Sequence, residues 1–295
     1  MRITLKQLQV FVNTAKLKSI SLGAEKCFIS QAAASMSLSQ LENMLGVTLF
    51  DRIGKRIRLN ANGYGLLAKA VQILDEVKEF ESFALNDKSL IGKITIGAST
   101  TIANYVLPKY IAQFKKIHPD VEFELICDNT KEIIHSIETL SCDVAFIEGE
   151  CHKHALINAT LWQKDHLKIV CNVKHPLCKK NTVTINDILK YEWVTREQGS
   201  ATFDMFLKSL DTHLPNIKKA ITLNSSEAIK QYIINSDSLS CLSEVITMQA
   251  WDSNKYNSLD IKGLDLSRNF YKLLHNKKYH THLTKAFCDF IEKDI

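Results

Sequence analysis

The stretch from Ser19 to Arg58 constrains this chain more than any other. Ser21 to Phe28 has the composition of a short helix, Ile29-Ser30 of a turn, and Gln31 to Met44 of a longer helix closed by Leu45-Gly46. A basic hairpin, Phe50 to Arg58, follows directly. Ser30 can cap the second helix by accepting from its first-turn N–H groups, and Gly46 can end it in a left-handed conformation. Ala34, Leu38, Leu41 and Leu45 recur at helical spacing, so they share one face, which must pack on the preceding helices. Small and hydrogen-bonding residues then face outward. Helix, tight turn, helix and basic wing is the order of a winged helix-turn-helix, which sets its second helix in a DNA major groove.

The outward face holds Gln31, Ala32, Ser35, Met36, Ser39 and Gln40, with Asn43 beyond. These are the candidate base-reading positions. Arg52, Lys55, Arg56 and Arg58 crowd the hairpin, where Ile53, Ile57 and Leu59 can anchor it. The cations are the candidate phosphate contacts. Charge distribution agrees. Residues 1–60 hold nine cationic side chains against three anionic ones, more than the whole chain's net charge of +5. A basic head on a near-neutral body fits double-stranded DNA as partner.

Upstream, Thr4 to Gln7 reads as a capping box opening a first helix, Leu5 to Leu17, with Leu8, Phe11, Val12 and Ala15 inward. That start has no signal-peptide pattern, and no apolar run reaches a membrane span, so a cytoplasmic protein without a membrane partner is expected. Downstream, Asn60 can cap a long helix from Ala61 to Asn86, with Leu67, Ala70, Leu74, Val77 and Ala84 in a near-heptad stripe. A helix of that length outreaches a sixty-residue head, so its stripe needs a partner helix or the C-terminal region.

From Lys93 the texture changes to strands alternating with helices. The pattern predicts strand Lys93–Ala98, helix Ile102–Ile117, strand Val121–Cys127, helix Lys131–Leu140 and strand Cys142–Glu148. A second unit follows, with strand His166–Cys171, helix Ile185–Leu189, strand Glu192–Thr195 and helix Ala201–Leu210. Strand Ala220–Asn224, helix Glu227–Asn235 and strand Leu239–Leu242 complete it. Phe270–His275 returns to the first unit before a closing helix, Thr281–Glu292. Together these give an α/β chain with an all-α winged head, a long linker helix and a periplasmic-binding-protein-like, two-lobed body. The expected domains are 1–60, 61–89 and 90–295. Lobe I would be about 90–161 and 269–295, and lobe II about 162–268.

Ligands in open α/β sheets sit at strand C-termini beside helix N-termini. Ser99-Thr100-Thr101, Asn129-Thr130 and Gly199-Ser200-Ala201-Thr202 occupy such ends, with Ser225-Ser226 as a fourth. Hydroxyls beside free backbone N–H groups would suit a small anion if these ends converge. Each is equally a plain helix cap. Arg196 could supply charge to the cleft or pair with Glu197 on the surface.

Enzyme signatures are missing. There is no G-x-S-x-G and no H-E-x-x-H, so neither an enzyme nor a cofactor is expected. The eight cysteines form no C-x-x-C pair, and Cys151-His152-Lys153-His154 fits no tetrahedral metal spacing. Cys178, followed by Lys179-Lys180, is the candidate redox thiol.

Leu5 to Phe11, Ser30 to Ser35, Gln40-Leu41-Glu42, Leu45 to Arg52 and Leu59 to Gly63, in this order and spacing, resemble the N-terminus of a LysR-type transcriptional regulator. The family usually has proline where Ala32 stands and often a basic residue where Met36 stands. Gly97 to Ile102, Asn104 to Pro108, Asn129-Thr130, Ile147-Glu148-Gly149 and Arg196 to Thr202 resemble one subgroup of that family. Glycine is common there at position 201, arginine at 203, and a glycine pattern where Ser238-Leu239-Ser240 stands. The resemblance implies a regulator reading operator half-sites, with linker helices paired in a homodimer and a homotetramer beyond it. RNA polymerase is a further candidate partner. It also implies an effector held by Ser99, Thr100, Thr101, Asn129, Thr130, Glu148, Arg196, Glu197, Gly199, Ser200 and Thr202, either a sulfur oxyanion or a short carboxylate; the strand-end pattern adds Ser225. The alternatives are a thiol-redox-responsive regulator, or a cytoplasmic solute-binding protein whose basic head does not bind DNA.

Overall fold

The structure, a computed structural model, describes residues 2–53, 56–84, 90–149, 154–210, 217–249 and 254–293. Lys55 and the Cys151-His152-Lys153 run lie outside these residues, as do the side chains of Arg52 and Arg56.

The head is built from α1 (Leu5–Leu17), α2 (Ile20–Lys26), α3 (Gln31–Leu45) and the hairpin β1 (Phe50–Ile53)–β2 (Arg56–Leu59). Thr4 and Gln7 form the capping box, Ser30 accepts from the Ala33 N–H, and Gly46 ends α3 at φ +70°. Phe11, Ala34, Leu38 and Leu41 bury together with Leu49 and Leu67. Val10 is fully buried as well, and Leu8 only partly, so α1 turns a slightly different stripe inward than its pattern suggests. The Glu42 carboxylate accepts from the Leu49 and Phe50 N–H groups, at 2.7 and 3.3 Å, tying α3 to the wing. Asn60 opens α4 (Ala61–Ala84) by accepting from the Gly63 N–H at 2.9 Å.

The first half of α4 lies on the head through Leu67, Ala68, Ala70 and Val71. Its second half touches the body. Glu79 accepts from the Tyr279 hydroxyl at 2.6 Å and the His282 N–H at 2.9 Å. Part of the helix is thus covered within the chain, while Ile73 and Phe80, seven residues apart, stay exposed.

The body holds β3 (Gly92–Ser99), α5 (Thr100–Tyr105), α6 (Leu107–Ile117), β4 (Val121–Asp128), α7 (Thr130–Glu138) and β5 (Val144–Glu148). Next come β6 (Ile157–Asn172), α8 (Ile185–Ile188), β7 (Glu192–Thr195), α9 (Ala201–Leu210), β8 (Lys218–Thr222), α10 (Ser226–Ile234) and β9 (Leu239–Ser243). The chain ends with α11 (Glu244–Gln249), β10 (Tyr256–Leu259), β11 (Ser267–His275) and α12 (His282–Glu292).

Two expectations need correction. The single helix Ile102–Ile117 is two helices broken at Val106, because Pro108 has no N–H and its ring clashes with the preceding turn. The strand His166–Cys171 is only the second half of β6, which runs from Ile157. β10 and α11 were not foreseen either.

β3 pairs in parallel with β4 and β5, and β7 with β8 and β9. Two long antiparallel strands join these units into one path, β4-β3-β5-β11-β6-β9-β7-β8, with β10 on β6. The first lobe contains β3, β4, β5 and the β11-paired half of β6; the second contains the rest of β6 with β7 to β10. Asp165 on β6 faces Arg268 on β11 where the strands pass between lobes. No helix of the described residues is long and apolar enough to cross a membrane.

Candidate functional site

On the head, Gln31, Ala32, Met36, Ser39 and Gln40 are exposed along α3, Ser35 is half-buried beside them, and Ala34, Leu38 and Leu41 face inward. Gln31 accepts from the Ser21 hydroxyl at 2.9 Å, which fixes its side chain to α2. Arg58, on β2, is exposed. This is a polar helix face beside a cationic hairpin, with the apolar stripe hidden.

Between the lobes the strand C-termini meet around Glu148, at the end of β5. Its carboxylate is buried and accepts from Ser99 Oγ at 2.9 Å, Thr101 Oγ1 at 3.1 Å and Thr202 Oγ1 at 3.5 Å. The first two belong to one lobe and Thr202 to the other. Ser99 and Thr101 therefore serve a carboxylate, not an anion from solution. Arg268 stands behind. Its Nη1 lies 3.7 Å from Glu148 and donates to Thr202 at 2.9 Å, while its Nε donates to Asp165 at 2.6 Å. The Ser243 hydroxyl also donates to Asp165, at 2.9 Å. Sequence reading missed this Asp165–Arg268 pair. Its only signal was an arginine at the inward position two residues before Phe270, in a strand whose start the pattern placed too late.

The lobes touch at three further points. Arg196 is buried and forms a bidentate pair with Glu197, at 2.8 and 3.0 Å, while its Nη2 reaches Thr100 at 3.5 Å. The Tyr105 hydroxyl donates to Glu227. Partial burial and that carboxylate both push the tyrosine hydroxyl pKa above its ordinary range. Gly199 backs on Asn129, which caps α7 through the Glu132 N–H. Ser225 caps α10 and does not line the cleft cavity.

That cavity measures about 390 Å³. Thr130, Lys131 and Ile134 of α7 form one wall; Gly199 and Ala201 with Asp204, Met205 and Lys208 of α9 form the other. Glu148 and Gly149 lie at its floor. The Thr130 hydroxyl, in this lining, is buried with no hydrogen-bond partner among the described residues; the Ser200 hydroxyl and Arg268 Nη2 are likewise unpartnered but do not line the cavity. Unpartnered buried donors of this kind call for a guest or water. Lys131, Asp204 and Lys208 carry charge here that no motif announced. Among the described residues no group of side chains could hold a metal ion.

The sequence matches a family model described as a bacterial regulatory helix-turn-helix protein, lysR family, over residues 5–64. A second model, the LysR substrate binding domain, matches residues 87–294. The chain belongs to the LysR family. It is a DNA-binding transcriptional regulator and not an enzyme. YeiE, an HTH-type transcriptional regulator of Escherichia coli K12, is 32% identical over 99% of this chain and 98% of its own length. The LysR fold recurs in full-length OxyR from Pseudomonas aeruginosa, with TM-score 0.75 and 19% identity over 99% of this chain and 95% of that one. Full-length CbnR, solved with its target DNA, gives TM-score 0.61 and 17% identity over 99% and 100%.

Proposed function

We propose that this LysR-type regulator reads operator half-sites with α3 and the β1–β2 wing and is switched by a small organic anion in the cleft cavity. On this reading residues 1–60 are the head, 61–89 the linker and 90–295 the effector domain. The cavity carries the effector reading. It has the size of a metabolite site, with room for roughly a dozen waters, more than a bare inorganic oxyanion needs. Lys131 and Lys208 would meet the anionic group. Glu148 and Asp204 would accept from hydroxyl or ammonium groups, and Thr130 supplies an unpartnered hydroxyl. A short carboxylate with polar substituents answers this lining better than a sulfur oxyanion. Ile73 and Phe80 on α4 offer an apolar strip for a second linker helix. The working form is then a cytoplasmic homodimer or an assembly of dimers.

Full-length protein in a thermal-shift screen against small carboxylates, sulfite, sulfate and phosphate tests the cleft. An organic anion at 100 times its Kd should add about 2.7 kcal/mol. Lys131→Gln should abolish that shift and leave DNA binding intact. A response to the inorganic ions alone would overturn the organic reading. The head is tested separately. Neutralising Arg52, Lys55, Arg56 and Arg58 should abolish retention on DNA, each lost phosphate contact lowering the salt slope by about 0.9. Undiminished retention would remove the wing from the mechanism.

A further inference from the structure

The far end of β6 carries Cys171, and a 3₁₀ turn, Pro176–Lys179, carries Cys178. The chain reverses between them. The His175 N–H donates to the Asn172 carbonyl at 2.9 Å, and the Cys178 N–H donates to the His175 carbonyl at 3.0 Å. The two sulfurs are left 3.6 Å apart, in van der Waals contact. Each thiol also has a backbone acceptor, Asn257 for Cys171 at 3.7 Å and Asn172 for Cys178 at 3.6 Å. Cys171 is fully buried in the second lobe's core, and Cys178 is half-buried at its edge. Neither lines the cleft cavity.

We propose that Cys171 and Cys178 are a reversible dithiol–disulfide pair oxidised by hydroperoxides. The accessible partner reacts first. The Cys178 thiolate attacks the terminal peroxide oxygen, the O–O bond breaks, and the alkoxide or hydroxide leaves with a proton, giving a sulfenic acid. The Cys171 sulfur then attacks the sulfenic sulfur. The S–S bond forms, and hydroxide departs with the Cys171 proton as water. Two thiols and one hydroperoxide become one disulfide, one alcohol (water, for hydrogen peroxide) and one water.

The roles follow from position. Burial and the neighbouring sulfur push the Cys171 thiol pKa up, so it stays protonated and waits as the resolving group. Lys179, exposed, puts positive charge next to Cys178, whereas the Lys180 ammonium is paired with Asp187 at 2.7 Å. Bond formation needs the sulfurs to close by about 1.5 Å, within reach of a short turn. The bond would clamp the turn to β6, the strand that runs through both lobes.

Lys174 lies between the cysteines, so trypsin separates them unless they are bonded. Full-length protein treated with hydrogen peroxide, blocked with N-ethylmaleimide and digested should yield Ile169–Lys174 linked to His175–Lys179. The linked pair should weigh about 2 Da less than the two thiol peptides together, and dithiothreitol should part it. In Cys171→Ser, a dimedone-reactive sulfenate should persist on Cys178. Recovery of both peptides carrying maleimide would overturn the proposal, as would Cys178 over-oxidised beside an alkylated Cys171. Cys178 bonded instead to the exposed Cys127 would overturn it equally. The wild-type map decides even where the serine variant does not fold.

Discussion

Replacing Arg268 by leucine should destabilise the protein by about 3–5 kcal/mol, read as a lowered urea midpoint. The guanidinium is fully buried and pairs at 2.6 Å with Asp165, itself almost wholly out of water. It also neutralises Glu148 at 3.7 Å. Leucine would leave two buried carboxylates facing only hydroxyls, and an unpaired buried charge costs far more than the pair itself is worth. The companion variants separate charge from shape. Arg268→Lys keeps the charge but loses the fork that reaches Asp165 and Thr202 together, so it should recover only part of the loss. Adding Asp165→Asn to Arg268→Leu should restore stability relative to Arg268→Leu alone, by non-additivity of contacting groups. A loss below about 1 kcal/mol for Arg268→Leu would mean that the charges at the lobe junction are solvated after all.

Gly63→Ala should cost about 3 kcal/mol and take DNA binding with it. A Cβ there would lie 2.1 Å from the Leu49 carbonyl oxygen and 2.6 Å from Leu59 Cδ2. The first of these is backbone, held by the Asn60 N–H at 3.0 Å, and cannot move aside without parting the wing from α4. Gly65 is the control. It sits two residues along the same helix with nothing within 4 Å of its would-be Cβ, so Gly65→Ala should stabilise by about 0.5–1 kcal/mol. Thermal unfolding of the two variants reads both signs. Equal and small effects would mean that the wing and linker are not in contact in solution.

Local rules made the head legible. Capping residues, a left-handed glycine and a single apolar stripe each act within a few positions, and Ser30, Gly46 and Leu38 stand where those rules put them. The body was legible where strands are short and parallel. It failed where an element's partner is distant. β6 reads as polar over Gln163-Lys164-Asp165-His166, and only pairing with β11, about a hundred residues on, makes that segment a strand. The cleft followed the same division. Hydroxyls at strand ends announced a site, yet what they bind is Glu148, about fifty residues away in sequence, and no spacing rule carries that. Arg196 had two readings, and the structure holds a mixture: it pairs with Glu197, as the surface reading had it, but is buried and reaches across to Thr100.

α7 has a different import. Its first five residues supply Thr130, Lys131 and Ile134 to the cavity wall. His135, just past Ile134, has its Nε2 3.4 Å from Lys18 Nζ, and beyond the helix end Leu140 is buried in the head's own core. Nine helical residues rise about 13 Å, and a helix of that length bends little under load. It is therefore a pushrod, with one tip at the cleft and the other under α1. Any change in the gap between Asn129 and Gly199 that tilts this rod reaches the DNA-reading head through two or three side chains, with no slack loop between to absorb it.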